Sequence, residues 1–221
     1  MHAPRTITLS DGNWTKKMVF IPGTCDQFVV KEVLIDECYA FNFNKNDVVL
    51  DLGGNIGSFC VYAFDRVKNI YTFEPDLECF QRLEYHLSEN KIKNVYTYNL
   101  AIWPYSWKIK YSKAKELGHN TTSIDWDWID VDCIDLREMI EFTKCTKIKC
   151  DIEGFEYEIF RNVTLPESVN EIWMETHTFS DLQKAEHKLL CDNLTQQWFG
   201  VTVNRNDEYD RTFLVCARRG I

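Results

Sequence analysis

The stretch VVLDLGGNIGSF, residues 48–59, constrains the fold of this chain more than any other segment. It begins as an apolar run with one acid, Asp51, and three glycines follow within five residues, at positions 53, 54 and 57. An apolar run that ends in small residues is typical of a buried strand that enters a tight turn. An acid and glycines at such a turn indicate that a ligand approaches the backbone closely.

The spacing of these glycines argues against a dinucleotide-binding turn. The dinucleotide fingerprint is Gly-x-Gly-x-x-Gly. Counted from Gly53, however, the positions of its second and third glycines hold Asn55 and Ser58. The pattern that remains, Asp51-x-Gly53-x-Asn55-x-Gly57, suits a turn that presents backbone amides to a ligand without a pyrophosphate.

A second acid, Glu74, ends the next apolar segment in TFEP and lies 21 residues after Gly53. In nucleotide-binding α/β folds, an acid at this distance hydrogen-bonds a ribose diol. Asp51, the acid at the end of the first strand, can bind an ammonium group. Together the two acids fit S-adenosylmethionine better than NAD, and an NAD-dependent oxidoreductase is the alternative enzyme.

Strand-like and helix-like segments alternate along the chain after residue 45. DVVLDL, NIYTFEP and KIKCDIEG predict strands, whereas DLECFQRLEYHLSEN predicts a helix with Asp76 as its N-cap. This alternation predicts an α/β fold with a mostly parallel sheet between two layers of helices. The final segment, GVTVNRNDEYDRTFLVCARR, predicts an antiparallel hairpin. We expect one domain over residues 1–221, with an N-terminal extension over 1–45 and a core over 46–221.

Five segments carry a resemblance to a known family, namely VVLDLGGNIGSF, YTFEPD, NLAI, KIKCDIEGFEYEIF and IWMETH. In content and order they resemble the FkbM-type S-adenosylmethionine-dependent O-methyltransferases, over residues 47–177. The resemblance implies a Rossmann-like class I methyltransferase fold with a seven-stranded sheet. It also implies methyl transfer to a hydroxyl of a sugar, a lipid or a polyketide-derived ring. One difference is Gly54, where the family commonly has alanine.

The resemblance also assigns cofactor contacts position by position. It implies that the methionine part of S-adenosylmethionine lies beside the glycine turn, with the ribose and the adenine further along the sheet edge. The residues assigned in this way are Asp51, Gly53, Asn55 and Gly57 at the methionine part, Glu74 at the ribose, and Asp76, Asn99 and Ala101 around the adenine.

Four polar residues at two later strand ends are the candidate catalytic residues. Asp151 and Glu153 follow the strand KIKC. Glu175 and His177 lie two residues apart in IWMETH, on the same face of that strand. If these strands are neighbours, as the resemblance implies, the four side chains meet beside the transferred methyl group.

Two interpretations of this group stay open. His177 could be the general base, because an unperturbed histidine pKa of about 6.5 suits proton transfer at neutral pH. Alternatively, Asp151, Glu175 and His177 could bind Mg²⁺ or Mn²⁺, which would lower the pKa of the hydroxyl. Carboxylates that converge without a cation repel one another, which favours the metal-assisted version.

The segment LGHNTTS, residues 117–123, has features that suit a carbohydrate. His119, Asn120 and Thr122 offer hydrogen-bonding groups, and tryptophans at 103, 107, 126 and 128 lie nearby in sequence. Aromatic rings can stack on the apolar face of a sugar while polar groups bind its hydroxyls. We therefore expect a small-molecule or glycan hydroxyl as acceptor, with a purely structural β-insertion as the alternative.

Composition limits the partners and the compartment. A formal net charge of −9 argues against a nucleic-acid partner, since such binding depends on basic residues that neutralise phosphates. Nine scattered cysteines without a Cys-x-x-Cys pair fit free thiols in the cytoplasm. The absence of a long apolar run predicts no membrane span. The chain could be fused to glycosyltransferase domains in a longer polypeptide, and a catalytically silent cofactor-binding module is the non-enzymatic alternative.

Overall fold

The computed structural model describes residues 3–10, 15–113, 127–178, 180–205 and 212–220. The strands are β1 (Arg5–Ser10), β2 (Thr15–Phe20), β3 (Val48–Leu52), β4 (Asn69–Phe73), β5 (Val95–Tyr98), β6 (Ala101–Trp103), β7 (Lys108–Lys113), β8 (Asp127–Asp135), β9 (Lys147–Cys150), β10 (Glu171–His177), β11 (Gly200–Arg205) and β12 (Thr212–Arg218). The helices are α1 (Cys25–Leu34), α2 (Ser58–Ala63), α3 (Leu77–Glu89), α4 (Leu136–Thr143), α5 (Glu156–Phe160) and α6 (Asp181–Gln196). None of these helices has both the length and the apolar character that a membrane span requires.

The central sheet has seven strands in the order β11-β12-β10-β9-β3-β4-β5. Strand β12 runs antiparallel to its neighbours β10 and β11, whereas β10, β9, β3, β4 and β5 pair in parallel. The sequence predicted a mostly parallel α/β sheet that closes with an antiparallel C-terminal pair, and the structure confirms it.

Strand β3 is almost entirely apolar because both of its faces are buried in the central sheet. Leu50 and Leu52 belong to the apolar cluster on one face, while Val49 belongs to the cluster on the other. Successive side chains of a strand point to opposite faces, so a strand between two layers needs apolar residues at nearly every position. Asp51 is the polar exception, and its side chain is fully buried.

Two smaller sheets flank the central one. Strands β1 and β2 form an antiparallel hairpin, and the three-stranded sheet has the order β6-β8-β7. The hairpin packs on α3, where the Val19 N–H donates to Nε2 of His86 at 2.9 Å. Helix α1 is joined to α3 by an ion pair between Arg82 and Asp26, with Nη2 and Oδ2 2.6 Å apart. Residues of the predicted N-terminal extension are thereby fastened to the core.

Candidate active site

The carboxyl ends of four parallel strands, β4, β3, β9 and β10, meet at one edge of the central sheet. Strand β9 pairs with both β3 and β10, and Asp51 stands opposite Lys149 in this register. Asp151 therefore emerges between the glycine turn and the end of β10, which carries Glu175 and His177. Ligands of open α/β sheets bind at such an edge.

Close packing against β9 explains why the turn after β3 needs a glycine. Gly53 has φ +85°, and a Cβ built there would lie 1.8 Å from the backbone oxygen of Asp151. A side chain is excluded by this approach of the backbone and by the left-handed conformation. On the side of Gly53 where a Cβ would project, the neighbour is the Asp151 carbonyl, and a cofactor contact at Gly53 stays a prediction. Asn55 and Gly57 also have positive φ, at 47° and 87°.

Glu74 links the glycine turn to the end of β4. Its carboxylate accepts hydrogen bonds from the backbone N–H groups of Asn55 and Asp76, both at 2.8 Å. Burial raises the pKa of Glu74 to about 7, against the effect of those two hydrogen bonds. Asn99 donates from Nδ2 to the backbone oxygen of Glu74 at 2.8 Å. Thus four of the predicted cofactor contacts form one connected group.

Three of the predicted cofactor residues, Asp76, Ala101 and Asp51, have buried side chains. Asp76 caps α3, because its side chain accepts a hydrogen bond from the Cys79 N–H at 2.9 Å. Ala101 is buried in β6, in a small apolar cluster with Val131 and Cys133. Asp51 lies beneath the turn with 0% exposure and accepts a hydrogen bond from Oγ1 of Thr72 at 2.8 Å. Asp51 therefore supports the turn from below.

Lys149 is a buried cation that the sequence analysis did not assign to the site. Its Nζ donates to the backbone oxygen of Gly53 at 2.6 Å and lies 3.3 Å from Oδ1 of Asp51. Oδ2 of Asp151 lies 3.9 Å from the same nitrogen. Burial alone would lower the pKa of Lys149, but the charges of Asp51 and Asp151 raise it above the usual lysine range. Lys149 therefore brings a permanent positive charge between the two strand-end acids.

His177 lies among carboxylates at the end of β10. Its Nδ1 is 3.2 Å from Oε1 of Glu156, and its Nε2 is 3.5 Å from Oε2 of Glu153. Burial would lower the pKa of His177, yet the hydrogen bond with Glu156 and the charges of Glu156, Glu153 and Asp151 raise it to about 10. This differs from the expected value near 6.5, because sequence alone showed neither the burial nor Glu156. His177 is therefore protonated at neutral pH.

The candidate metal ligands differ from the predicted set. Among the described residues, donor atoms of Asp151, Glu153 and His177 all lie within 4.8 Å of one another, and Glu175 is outside this group. The reason is strand geometry, since residues two apart on one face are separated by about 7 Å. Burial and the charge of Asp151 raise the pKa of Glu175 to about 8. The structure thus brings Glu153 into this group, and the ligand set with Glu175 stays a prediction.

Sequence reasoning missed two further residues of this group. Glu156, with 0% exposure, is the last acid of the segment DIEGFE and differs from the assigned acids in lying inside a helix. Tyr39 donates from its hydroxyl to Oδ2 of Asp151 at 3.3 Å across 112 residues of sequence. The motif itself could have indicated Glu156, but no local pattern signals Tyr39.

The predicted acceptor-binding residues His119, Asn120 and Thr122 lie outside the residues that the structure describes. Trp103, from the aromatic residues near this segment, forms a described pair with Phe155. Trp103 and Phe155 pack edge to face with their ring centroids 5.5 Å apart. Phe155 directly follows the turn that carries Asp151 and Glu153, and it is 40% exposed. An aromatic surface therefore adjoins the acids.

Comparison with known proteins identifies the family. The methyltransferase FkbM domain matches residues 51–200. Hexuronic acid methyltransferase AglP of Haloferax volcanii is 26% identical over 153 residues, which cover 67% of this chain and 63% of that protein. The match thus spans less than two thirds of the relative's length.

Solved structures agree on the fold. An FkbM methyltransferase from Methylobacillus flagellatus KT superposes with a TM-score of 0.57 at 14% identity, over 84% of this chain and 47% of that one. Precorrin-6y C5,15-methyltransferase from Geobacter metallireducens GS-15 gives a TM-score of 0.51 at 13% identity, over 88% and 87%. Both the class I methyltransferase fold and the predicted family are confirmed, and the chain belongs to the FkbM methyltransferase family.

Proposed function

We propose that the chain is an S-adenosylmethionine-dependent O-methyltransferase that acts on a hydroxyl of a sugar, most directly of a hexuronic acid. One observation carries the proposal. The glycine turn, Glu74 and the cluster of Asp151, Glu153 and His177 occupy a single edge of the sheet. A cofactor held by the turn and Glu74 then borders the acids that can receive a proton.

The residues at the turn fit the cofactor. An ionised carboxylate has about four acceptor positions, and in Glu74 two are taken by backbone N–H groups. The others are available to a ribose diol. When bound, S-adenosylmethionine supplies an electrophilic methyl group on a positively charged sulfur. Gly53, Asn55 and Gly57 would hold its methionine part above the buried charge of Asp51, with Asp76, Asn99 and Ala101 towards the adenine.

The acids near His177 suit the transfer of a methyl group to oxygen. As the new bond forms, the acceptor oxygen becomes positively charged and its proton becomes acidic. Nearby carboxylates stabilise that charge and can take the proton. Among the acids, Asp151 is half-buried at the strand end, and its contacts with Tyr39 and Lys149 are long, at 3.3 and 3.9 Å. We assign Asp151 as the proton acceptor. Glu153, Glu175 and His177 set the electrostatic potential around it.

In this proposal the reaction needs no metal ion. The metal-assisted version assumed that the carboxylates converge without a cation. Lys149 contacts Asp51 and Asp151, and the protonated His177 lies beside Glu153 and Glu156, so two positive charges already offset these acids. A Mg²⁺ or Mn²⁺ ion on Asp151, Glu153 and His177 is the competing version. It predicts loss of activity in EDTA.

The class of acceptor rests on two observations. The Haloferax volcanii relative is named as a hexuronic acid methyltransferase. The exposed ring of Phe155, packed against the partly buried Trp103, also lies beside the acids, where a sugar ring could stack. His119, Asn120 and Thr122 stay predicted contacts of the acceptor. Cytoplasmic location stays a prediction too, and the nine free cysteines support it.

The proposal is tested by incubating the chain with methyl-labelled S-adenosylmethionine and glycosides of hexuronic acids and neutral hexoses. We expect a methyl ether on a glycoside hydroxyl, located by NMR, and retained activity in EDTA. Label on nitrogen or carbon, or no transfer to any glycoside, would contradict the proposed reaction. Calorimetry adds the other distinctions: binding of NAD would favour an oxidoreductase, and binding of S-adenosylmethionine without transfer would favour a silent module.

A further inference from the structure

Glu156 lies fully buried behind the acids of the candidate active site, and one of its oxygens accepts three hydrogen bonds. Oε1 is 3.3 Å from the Ile152 N–H, 3.0 Å from the Gly154 N–H and 3.2 Å from Nδ1 of His177. Oε2 is buried and has no hydrogen-bond partner in the described part of the chain. A buried carboxylate is costly unless it is paired. The hydrogen bonds of the Glu156 side chain are therefore all made to the turn and to His177.

The two backbone hydrogen bonds hold Glu153 in a strained conformation. Glu153 has φ +57°, and Gly154 follows with φ +102°. A non-glycine residue in this region is disfavoured and persists only where its surroundings enforce it. Because Glu156 binds the amides on both sides of Glu153, it enforces the turn that brings Oε2 of Glu153 to 3.5 Å from Nε2 of His177.

A role in capping does not explain this arrangement. Helix α5 has only five residues and begins at Glu156, and Phe155 at its N-cap forms no side-chain hydrogen bond. A glutamate that only capped the helix would have no need of a contact with a histidine on a different element. Nδ1 of His177 reaches Glu156 from β10, 21 residues later in the chain.

We infer that Glu156 is a positioning residue for the proposed methyl transfer. It fixes the ring of His177 and the turn that carries Asp151 and Glu153 as one unit, and it does not touch the acceptor. This inference rests on the proposed function, because the unit matters only if acceptor chemistry takes place there. It predicts an effect on turnover that is separable from folding and from acceptor binding.

The test compares Glu156→Gln with Glu158→Gln, a matched control on the same helix. Glu158 is about half exposed and pairs with Arg161 at 3.3 Å, away from His177. In Glu156→Gln we expect kcat to fall about 10- to 100-fold, with the acceptor KM within about twofold of wild type. The Nδ1–H signal of His177 in nitrogen-15 NMR spectra of the cofactor-free protein should shift or disappear. Glu158→Gln should match wild type in all three.

The outcomes separate the inference from the proposed function. An unchanged His177 signal or an unchanged kcat in Glu156→Gln would overturn the positioning role. A rise in KM alone would also overturn it, because Glu156 would then act in acceptor binding. If the wild-type chain transfers no methyl group, the proposed function fails, and the positioning role for that reaction fails with it. The NMR result would still report whether Glu156 holds the histidine ring.

Discussion

At the scale of single residues, the sequence shows where the charged residues of the site lie, but not which charge state they have or which partners they contact. Asp151 and His177 were predictable, because each ends an apolar strand and parallel strands end at one edge. The charge state of His177 was not predictable, since it depends on Glu156 and on burial. Lys149 was visible as a polar residue inside a strand. Its contacts with Asp51 and Gly53 follow only from the register of β9 and β3.

Cofactor affinity should depend on pH through Glu74. The pKa of Glu74 is raised from 4.5 to about 7, so the folded, cofactor-free chain holds a proton there below about pH 7. Only the ionised form accepts two hydrogen bonds from a diol, and affinity should therefore increase as pH rises from about 6 to 8. Calorimetry of S-adenosylmethionine binding over this range measures the change.

The variant Glu74→Gln provides the control. It should bind the cofactor more weakly, by about 1.5–3 kcal/mol at high pH, and its affinity should not vary with pH in this window. Because the pKa of Glu74 is higher in the folded state, the free energy of unfolding should decrease as the pH rises from about 4.5 to about 7. Equal pH dependence in both proteins would show that Glu74 does not hold the ribose.

At the scale of elements, the alternation of strands and helices predicted the central sheet well. It worked because β3 is a nearly continuous apolar run, as a strand buried on both faces requires, and because the N-cap Asp76 marks the start of α3. The three-stranded sheet was less predictable. Strand β6 pairs in parallel with β8, about 30 residues later, and the short segment Ala101–Trp103 has too few residues to show a period.

The turn after β3 should be intolerant of any side chain at Gly53. In Gly53→Ala the new Cβ would lie 1.8 Å from the Asp151 oxygen, so we expect the free energy of unfolding to fall by about 4 kcal/mol or more. Gly220 is the matched control, because its φ is +79° but nothing lies within 4 Å of its would-be Cβ. Gly220→Ala should cost about 1 kcal/mol. Urea unfolding of both variants measures the difference, and equal losses would mean that the approach of β9 is not the constraint.

At the scale of the whole molecule, the N-terminal segment takes part in the site. Residues 1–45 were expected as an extension, yet Tyr39 is buried and its hydroxyl contacts Asp151. The hairpin of β1 and β2 was predictable from TITL and MVFIP, two short strand-like segments on either side of the turn residues SDGN. Its docking on α3 was not, because it depends on single long-range contacts such as that of Val19 with His86.

The ion pair between Arg82 and Asp26 should anchor this segment to the core. Asp26 is 5% exposed and Arg82 24%, so removal of the arginine leaves a buried carboxylate without its ion-pair partner, held by the Ile21 N–H at 2.8 Å. We expect Arg82→Ala to lower the free energy of unfolding by about 2–4 kcal/mol. Lys184→Ala, which breaks an exposed pair with Asp181, should leave it close to the wild-type value. Equal effects in denaturant titrations would contradict an anchoring role.

The most direct test of the proposed reaction is single-turnover methyl transfer from S-adenosylmethionine in EDTA, comparing wild type with Asp151→Asn. The asparagine keeps the size of the side chain and the backbone carbonyl beside Gly53, but it cannot take the proton. We predict that wild type reacts without added metal and that the variant binds the cofactor equally while reacting about 10²–10⁴-fold more slowly. Wild-type rates in the variant, or a wild-type reaction that requires Mg²⁺ or Mn²⁺, would contradict the account.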